Sequence, residues 1–249
     1  MVLRRNLFNA VVVLTLGIAG GMMGSAALAS RAYQSPRKTE QTVAVTGSAR
    51  KRIRSDLAVW QIHVSGEGKD LKAAYQVLKD SYARVSSFLE AKKFKPEEIA
   101  VSAIGTTTLH ARDKEGQELP ENLGYTLTRT FTVTSPRVDG IALPASEVTE
   151  LIQDGVKVVS EAPQYLYTGL SELKIEMIGE ATKDARARAE QIVTNAGCVI
   201  AEVKTAHMGV LQITPPNSTS VSDSGLNDTT TIEKDVTSVV SLTLGLAQK

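Results

Sequence analysis

Apolar residues recur at steps of three and four in two long segments of the chain. These segments cover residues 69–93 and 171–196, and the spacing is typical of amphipathic helices. Pro96 follows the first segment and Gly197 the second, as expected at helix ends. The second segment is rich in alanine, which predicts a helix that approaches a packed surface closely.

Alternation of apolar and polar residues predicts strands before, between and after these helices. It is clearest over residues 125–134, where threonines occupy one face and, apart from Arg129, the other face is mainly apolar. The other predicted strands cover residues 42–46, 55–65, 99–112, 156–168, 199–214 and 236–247. Gly66 and Gly68 predict a turn. A third, shorter helix is predicted over residues 145–153, because Pro144 interrupts the pattern there.

The predicted order of elements is β-β-α-β-β-α-β-α-β-β. Long amphipathic helices on a mixed, mostly antiparallel sheet or sheets give an α+β fold. Composition does not shift within residues 42–249, which predicts one domain, and residues 31–41 form a polar tether. Residues 215–231 are rich in Pro, Ser, Thr, Asn and Asp, and they predict a flexible loop at an exposed hairpin tip.

The first 30 residues have the pattern of a secretory signal peptide. Residues 1–6 are positive, residues 7–30 carry no charge, and Ala27 and Ala29 form an A-x-A cleavage site. The site favours cleavage, but about 20 apolar residues also suffice for an uncleaved membrane anchor. Either form places the body on the outer side of the membrane, so the expected localisation is periplasmic or envelope-associated.

The overall composition is that of a globular protein without a marked charge. The 249 residues are 42% hydrophobic and carry 28 Lys+Arg against 27 Asp+Glu. A near-neutral body has no global attraction to nucleic acid, which is therefore not an expected partner. The single cysteine, Cys198, cannot form an intramolecular disulfide. We expect a small buried apolar residue there, and the alternative is a reactive thiol.

The chain lacks the familiar catalytic, nucleotide-binding and metal-binding motifs. G-x-S-x-G, H-E-x-x-H and G-x-G-x-x-G do not occur. His63, His110 and His207 lie on three different predicted strands, so no two of them have the spacing of metal ligands. We therefore expect no catalytic residue, no cofactor, no metal and no enzymatic activity, with an enzyme of unknown class as the least favoured alternative.

Two basic features are candidates for contact with a partner. Arg50, Lys51, Arg52 and Arg54, here called the basic quartet, place four cations in five residues between the first two predicted strands. The quartet is a candidate surface for anionic lipid head groups or an acidic partner. Alternatively, it protects a sheet edge against pairing with another sheet. Arg129 is expected to form an ion pair or to extend its charged end to water, and ligand binding is the alternative.

Five short motifs follow one another along the chain in a fixed order. They are VAVTG at residues 43–47, DLAV at 56–59, the alanine pair 73–74, the strand 124–133 that begins GY and ends FTV, and the segment 184–197 that begins DARARAE and ends AG. Their order and spacing over residues 42–247 resemble the SIMPL domain family, mostly bacterial envelope proteins of largely unassigned function.

The resemblance implies an α+β fold, export to the periplasm or envelope, and no established catalytic residues. Proteins of this family are described as envelope antigens, as ring-like or barrel-like homo-oligomers and as factors linked to oxidative stress. The chain departs from the family pattern at Ser55, where the family commonly has proline, at the basic quartet and at Pro144.

These observations favour a non-enzymatic, exported envelope protein that self-associates as a homo-oligomer, with a structural or stress-protective role. Long strands with few charges support self-association, because exposed strand edges pair readily. The alternative is a binding module for a peptide, a lipid or a small ligand, which includes contact of the basic quartet with a membrane surface.

Overall fold

The computed structural model describes residues 41–248, and a compact unit begins at Val43. The predicted signal segment, its cleavage residues Ala27 and Ala29, and nearly all of the predicted tether lie outside the described residues. Among residues 41–248, none of the helices combines the length with the hydrophobicity that a membrane span requires. The predicted α+β class is confirmed, with helices packed on two antiparallel sheets.

Within residues 41–248 the α-helices are α1 (Leu71–Ala91), α2 (Ala142–Glu147) and α3 (Leu170–Asn195), and the two long ones, α1 and α3, form where the apolar spacing predicts them. The Asp70 carboxylate caps α1 by accepting the backbone N–H of Ala73 at 2.8 Å. Buried residues of α3 recur every four positions and include Ala181, Ala185 and Ala189. This stripe confirms the predicted close packing of the alanine-rich helix.

The short helix α2 begins before the predicted range of residues 145–153 and contains fewer residues than predicted. Pro144 lies inside the first turn of α2, where a missing backbone N–H removes no hydrogen bond within the helix. The chain continues as a 3-10 helix over Val148–Asp154 and ends at Gly155, whose φ is 82°. Two further 3-10 helices cover Pro96–Glu98 and Val138–Gly140.

The first sheet has four strands: β1 (Thr42–Arg54), β8 (Cys198–Met208), β9 (Gln212–Thr214) and β10 (Glu233–Gln248). Its order is β1-β10-β8, and β9 also pairs with β10. The alanine stripe of α3 packs on Val240, Leu242 and Leu244 of β10. The opposite face of this sheet is not covered by α3.

The second sheet has six strands: β2 (Leu57–Gly68), β3 (Ile99–Val101), β4 (Gly105–Arg112), β5 (Glu118–Ser135), β6 (Lys157–Ser160) and β7 (Gln164–Leu166). Its order is β3-β5-β2-β6, with β4 paired to β5 and β7 paired to β2. One face packs against α1 and contains the fully buried Trp60 and Ile62 of β2 and Phe131 of β5.

Several strand boundaries differ from prediction. The first strand runs to Arg54, so the basic quartet lies within β1 and not between two strands. Gly66 and Gly68 lie inside β2 and do not form a turn. The segments 99–112, 156–168 and 199–214 each form two strands where one was predicted. Pro163 and Gly209 stand at two of these breaks, and both residue types weaken a strand interior, so the sequence contained a signal that the prediction missed.

The segment 215–231 joins β9 to β10, which pair antiparallel in the first sheet, so it forms the loop of a hairpin as predicted. Beside it, Ile213 of β9 donates its backbone N–H to Leu226 at 2.8 Å. Tyr165 of β7, in the second sheet, donates its backbone N–H to Thr229 at 2.7 Å. The backbone of this segment therefore obtains partners from both sheets, while its flexibility stays a prediction.

Candidate functional site

Strand alternation divides the basic quartet between the two faces of β1. Ile53 is buried against Leu173 and Met177 of α3, and Lys51 points to the same side. Arg50, Arg52 and Arg54 occupy the opposite, open face, as expected for residues two apart in a strand. The quartet therefore places one cation beside α3 and three cations along the open face of the first sheet.

Asp235 of β10 accepts hydrogen bonds from two arginines of the quartet. Arg50 Nη2 lies 2.6 Å from its Oδ2, and Arg52 Nε lies 2.9 Å from its Oδ1. The backbone N–H of Asn217 also donates to Oδ2 at 2.9 Å. The Asp235 side chain is 3% exposed, whereas both arginines are about half exposed. Each arginine therefore has one end fixed by Asp235 and much of its surface in water.

These donors lower the pKa of the Asp235 carboxyl far below its ordinary value of 3.8. The side-chain hydrogen bond from Arg52 is the main cause, followed by the Asn217 backbone hydrogen bond; burial opposes them and Arg50 adds to them. Asp235 thus stays ionised in the folded protein under mildly acidic conditions.

The other two cations also have carboxylate partners. Lys51 Nζ lies 2.6 Å from Glu176 Oε1 of α3. Arg54 pairs with Asp139, and its Nη1 lies 3.8 Å from Glu233 Oε1. The structure thus brings carboxylates from three distant segments to the quartet. Because these partners lie between 85 and 185 residues away in the chain, sequence analysis of the quartet missed them.

We expect acid to destabilise the protein through Asp235. Its pKa is lower in the folded chain than in the unfolded chain, so the stability that it contributes is present above about pH 4 and is lost as the pH falls. Asp235→Asn should lower the free energy of unfolding at pH 7 by about 2 kcal/mol, because charged hydrogen bonds are lost. The variant should also show a weaker pH dependence below pH 4.

Urea denaturation at a series of pH values measures both effects. Asp223→Asn is the matched control, because Asp223 is an exposed carboxylate of the same neighbourhood. An Asp235→Asn variant with the stability and pH profile of the wild type would contradict the assigned role of this carboxylate.

Arg129 of β5 stacks on an aromatic ring. Its guanidinium carbon lies 4.8 Å from the centre of the Tyr82 ring, and Tyr82 in turn stacks on Phe131. Arg129 Nε also donates to the backbone oxygen of Ser102 at 2.9 Å. No carboxylate in the described residues pairs with it, so the expected ion pair is replaced by a cation–π contact.

His63 of β2 links a hydroxyl to a carboxylate, an arrangement that the sequence did not reveal. Its Nδ1 lies 2.9 Å from Thr130 Oγ1, and its Nε2 lies 2.8 Å from Glu161 Oε1. Nucleophilic catalysis uses such chains, but in sites that exclude water. Here His63 and Glu161 are 38% and 47% exposed on an open sheet face. The geometry therefore defines a surface hydrogen-bond chain and assigns it no catalytic role.

The remaining candidate ligands do not converge. Within residues 41–248, no group of three or more His, Cys, Asp or Glu side chains could hold a metal ion. Cys198, predicted to be buried, is half-buried at the start of β8, and its Sγ lies 3.8 Å from the backbone oxygen of Ala196. Nothing in its surroundings assigns the thiol a function.

A two-stranded ribbon extends from the second sheet. It consists of the end of β4 and the first part of β5, residues 109–123, since residues 105–108 pair with residues 125–128 of β5 inside the sheet. Most residues of the ribbon are exposed. The ribbon begins at Gly124, where a Cβ atom would lie 2.6 Å from the backbone oxygen of Gly68. Leu109, Leu119 and Leu123 are between 38% and 57% exposed along it. The ribbon thus exposes three leucines among mostly polar and charged residues and has little cover among the described residues.

The fold and these sites define an α+β protein with two sheets, each covered on one face by a long helix. Residues 43–244 match the family model SIMPL, described as "Protein of unknown function (DUF541)". Since the match covers most of the chain, the protein belongs to the SIMPL family, and the predicted resemblance is confirmed. No curated protein matches the chain.

Three of the solved structures that the chain is similar to are distant likenesses. The de novo designed protein Foldit4 is 9% identical, with 42% of this chain and 93% of that chain covered and a TM-score of 0.23. An unknown protein from Galdieria sulphuraria is 17% identical, with 44% and 51% covered and a TM-score of 0.23. An uncharacterized conserved protein from Listeria innocua is 13% identical, with 80% and 92% covered and a TM-score of 0.19. Scores this low carry no argument about fold or function.

Proposed function

We propose that this SIMPL-family protein is a non-enzymatic, exported envelope protein that self-associates and has a structural or stress-protective role. Support for export comes from the sequence of residues 1–30, with a positive start, an uncharged segment and the Ala27 and Ala29 cleavage pattern. The observation that carries self-association is the ribbon of residues 109–123.

A two-stranded ribbon with both faces in water is marginally stable by itself. This ribbon also presents three exposed leucines, Leu109, Leu119 and Leu123. The outer edge of β4 has no strand partner among the described residues, so its backbone groups are available for pairing. A second copy of the chain supplies a matching edge and the same exposed leucines, and a symmetric contact of this kind closes an oligomer.

The alternative, a binding module that uses the basic quartet, has less support. Each of the four cations has a carboxylate partner. Binding of an anionic head group would therefore have to compete with ion pairs that already exist. Self-association through the ribbon requires no such exchange.

We expect the wild-type protein to be a homo-oligomer at micromolar concentration and the triple variant Leu109→Ser/Leu119→Ser/Leu123→Ser to dissociate. Burying a leucine contributes about 1.5–3 kcal/mol, so losing three should weaken association at least about 100-fold. Size-exclusion chromatography with light scattering measures the mass, and circular dichroism checks the fold.

Leu143→Ser is the matched control, because Leu143 is a 65% exposed leucine of α2 outside the ribbon. It should leave the mass of the assembly unchanged. A wild-type monomer would overturn the proposed self-association, and a triple variant that assembles like the wild type would remove the ribbon as its cause.

A further inference from the structure

An apolar cleft of about 510 Å³ lies on the helix side of the first sheet, where α3 leaves the sheet uncovered. One wall is a stripe of α3, with Leu170, Lys174 and Ile178 at steps of four. The opposite wall comes from the β8–β9 connection and from the loop around Leu226. The main apolar lining residues are Leu170, Ile178, Met208, Val210, Leu211 and Leu226. The volume lies within the range of small-molecule sites, about 300–1,000 Å³.

Hydrogen bonds fix the loop wall of the cleft. Gln212 of β9 donates its Nε2 to the backbone oxygen of Ser222 at 2.7 Å, and its Oε1 accepts the backbone N–H of Leu226 at 3.0 Å. Gly225 has a φ of 87°, and a Cβ atom there would lie 2.6 Å from Val210 Cγ1. The wall is therefore built against the β8–β9 connection, and the cleft is formed without a ligand.

The polar groups of the cleft favour an anion. Lys174 is the only charged residue in its lining, which contains no carboxylate. None of the described residues forms an ion pair with the Lys174 ammonium, although many surface cations of this protein do have such partners. A cation beside an apolar wall complements a ligand that has an anionic head and an apolar tail.

A second polar group lies at the floor of the cleft. Ser238 of β10 is 1% exposed and lines the cleft. Ser224 and Asn227 also line the cleft, so uncharged polar groups accompany the Lys174 ammonium.

We propose that this cleft binds a free, single-chain amphiphile with a carboxylate head, such as a medium-chain fatty carboxylate. Lys174 pairs with the carboxylate at the mouth, and the apolar walls cover the chain. Met208 and Val210 are 64% and 48% exposed at the rim, so a bound chain would also cover apolar surface that now faces water. This site is separate from the ribbon and from the basic quartet, and it does not depend on self-association.

Photo-crosslinking of the full chain tests the proposal. The probe is a ten-carbon carboxylate with a diazirine on its chain, and the adducts are mapped by mass spectrometry after chymotrypsin digestion. We expect saturable adducts on peptides that contain residues 170–178 and 208–211, and we expect decanoate to compete with them. Lys174→Gln should raise the probe concentration for half-maximal labelling about tenfold, and Lys174→Arg should restore the wild-type value.

Lys72→Gln is the matched control, because Lys72 is an exposed lysine of the other long helix; it should label like the wild type. Three results would overturn the proposal. The first is no saturable labelling of the cleft peptides in the full chain. The second is equal labelling of Lys174→Gln and the wild type. The third is equal labelling by the corresponding alcohol probe, which would show an apolar patch without preference for an anion.

Discussion

Gly66→Ala is expected to destabilise the protein by about 3 kcal/mol or more, because no space exists for a side chain at this position. A Cβ atom on Gly66 would lie 2.4 Å from the backbone nitrogen of Leu78 and 2.5 Å from the backbone oxygen of Ala74. Both atoms belong to the backbone of α1, so a change of rotamer cannot relieve the overlap. The helix or the strand must move, and the core between them loses its packing.

The first sheet contains the same arrangement. A Cβ atom on Gly47 of β1 would lie 2.2 Å from the backbone nitrogen of Ala185 and 2.3 Å from the backbone oxygen of Ala181. Gly47→Ala should therefore cost as much as Gly66→Ala. In both sheets a strand glycine sets how closely the long helix approaches the strand. The packing of each hydrophobic core therefore depends on one of these two glycines.

Urea denaturation followed by circular dichroism measures these effects. Gly179→Ala provides the control, because Gly179 lies in α3 and a Cβ atom there would have no neighbouring atom within 4 Å. Alanine should stabilise the helix there by about 0.5–1 kcal/mol. If Gly66→Ala were as stable as the wild type, the close contact between α1 and β2 would be wrong.

Sequence periodicity predicted one half of this packing. The alanine stripe of α3 correctly indicated a close approach, because small side chains at steps of four leave room for a neighbouring backbone. The partner glycines were not recognised. Gly66 lies two residues before Gly68, and two glycines so close together are more typical of a turn than of a strand interior. Only the pairing of β2 with β5 shows that the strand continues to Gly68.

The basic quartet shows the corresponding limit for a site. The sequence shows the four cations because they lie within five residues. The carboxylates that balance their charge come from distant segments that only the fold brings to them. Arg52 and Asp235 are 183 residues apart and meet because β1 and β10 are neighbours in the first sheet. The cleft beside Lys174 was missed for the same reason, since its walls come from α3, the β8–β9 connection and a loop.

A buried ion pair gives the second large prediction. Lys234 Nζ lies 3.1 Å from Asp228 Oδ2, and the two side chains are only 2% and 7% exposed. Burial alone would raise the pKa of Asp228, but hydrogen bonds from Thr231, Thr230 and Lys234 outweigh burial and hold the pKa far below its ordinary value. The pair lies where the β9–β10 loop, residues 215–231, enters β10.

Asp228→Ala is expected to cost about 3–5 kcal/mol, because it leaves a buried ammonium group with the backbone oxygen of Thr231 as its remaining hydrogen-bond acceptor. Lys234→Met should cost less. The Asp228 carboxylate then still accepts hydrogen bonds from the backbone N–H and the hydroxyl of Thr230, and from Thr231. The two partners of one ion pair are thus expected to have unequal effects.

The double variant Asp228→Ala/Lys234→Met separates loss of the pair from loss of packing. Since it contains no unpaired buried charge, it should be more stable than Asp228→Ala alone, although it carries one more substitution. Urea denaturation of the four proteins completes the cycle, and Asp223→Ala, at an exposed acidic residue of the same segment, should change stability by less than about 0.5 kcal/mol. Additive losses would mean that Lys234 and Asp228 are not coupled. In that case the conformation of the β9–β10 loop would depend on the threonine hydrogen bonds to Asp228, and not on the buried charge pair.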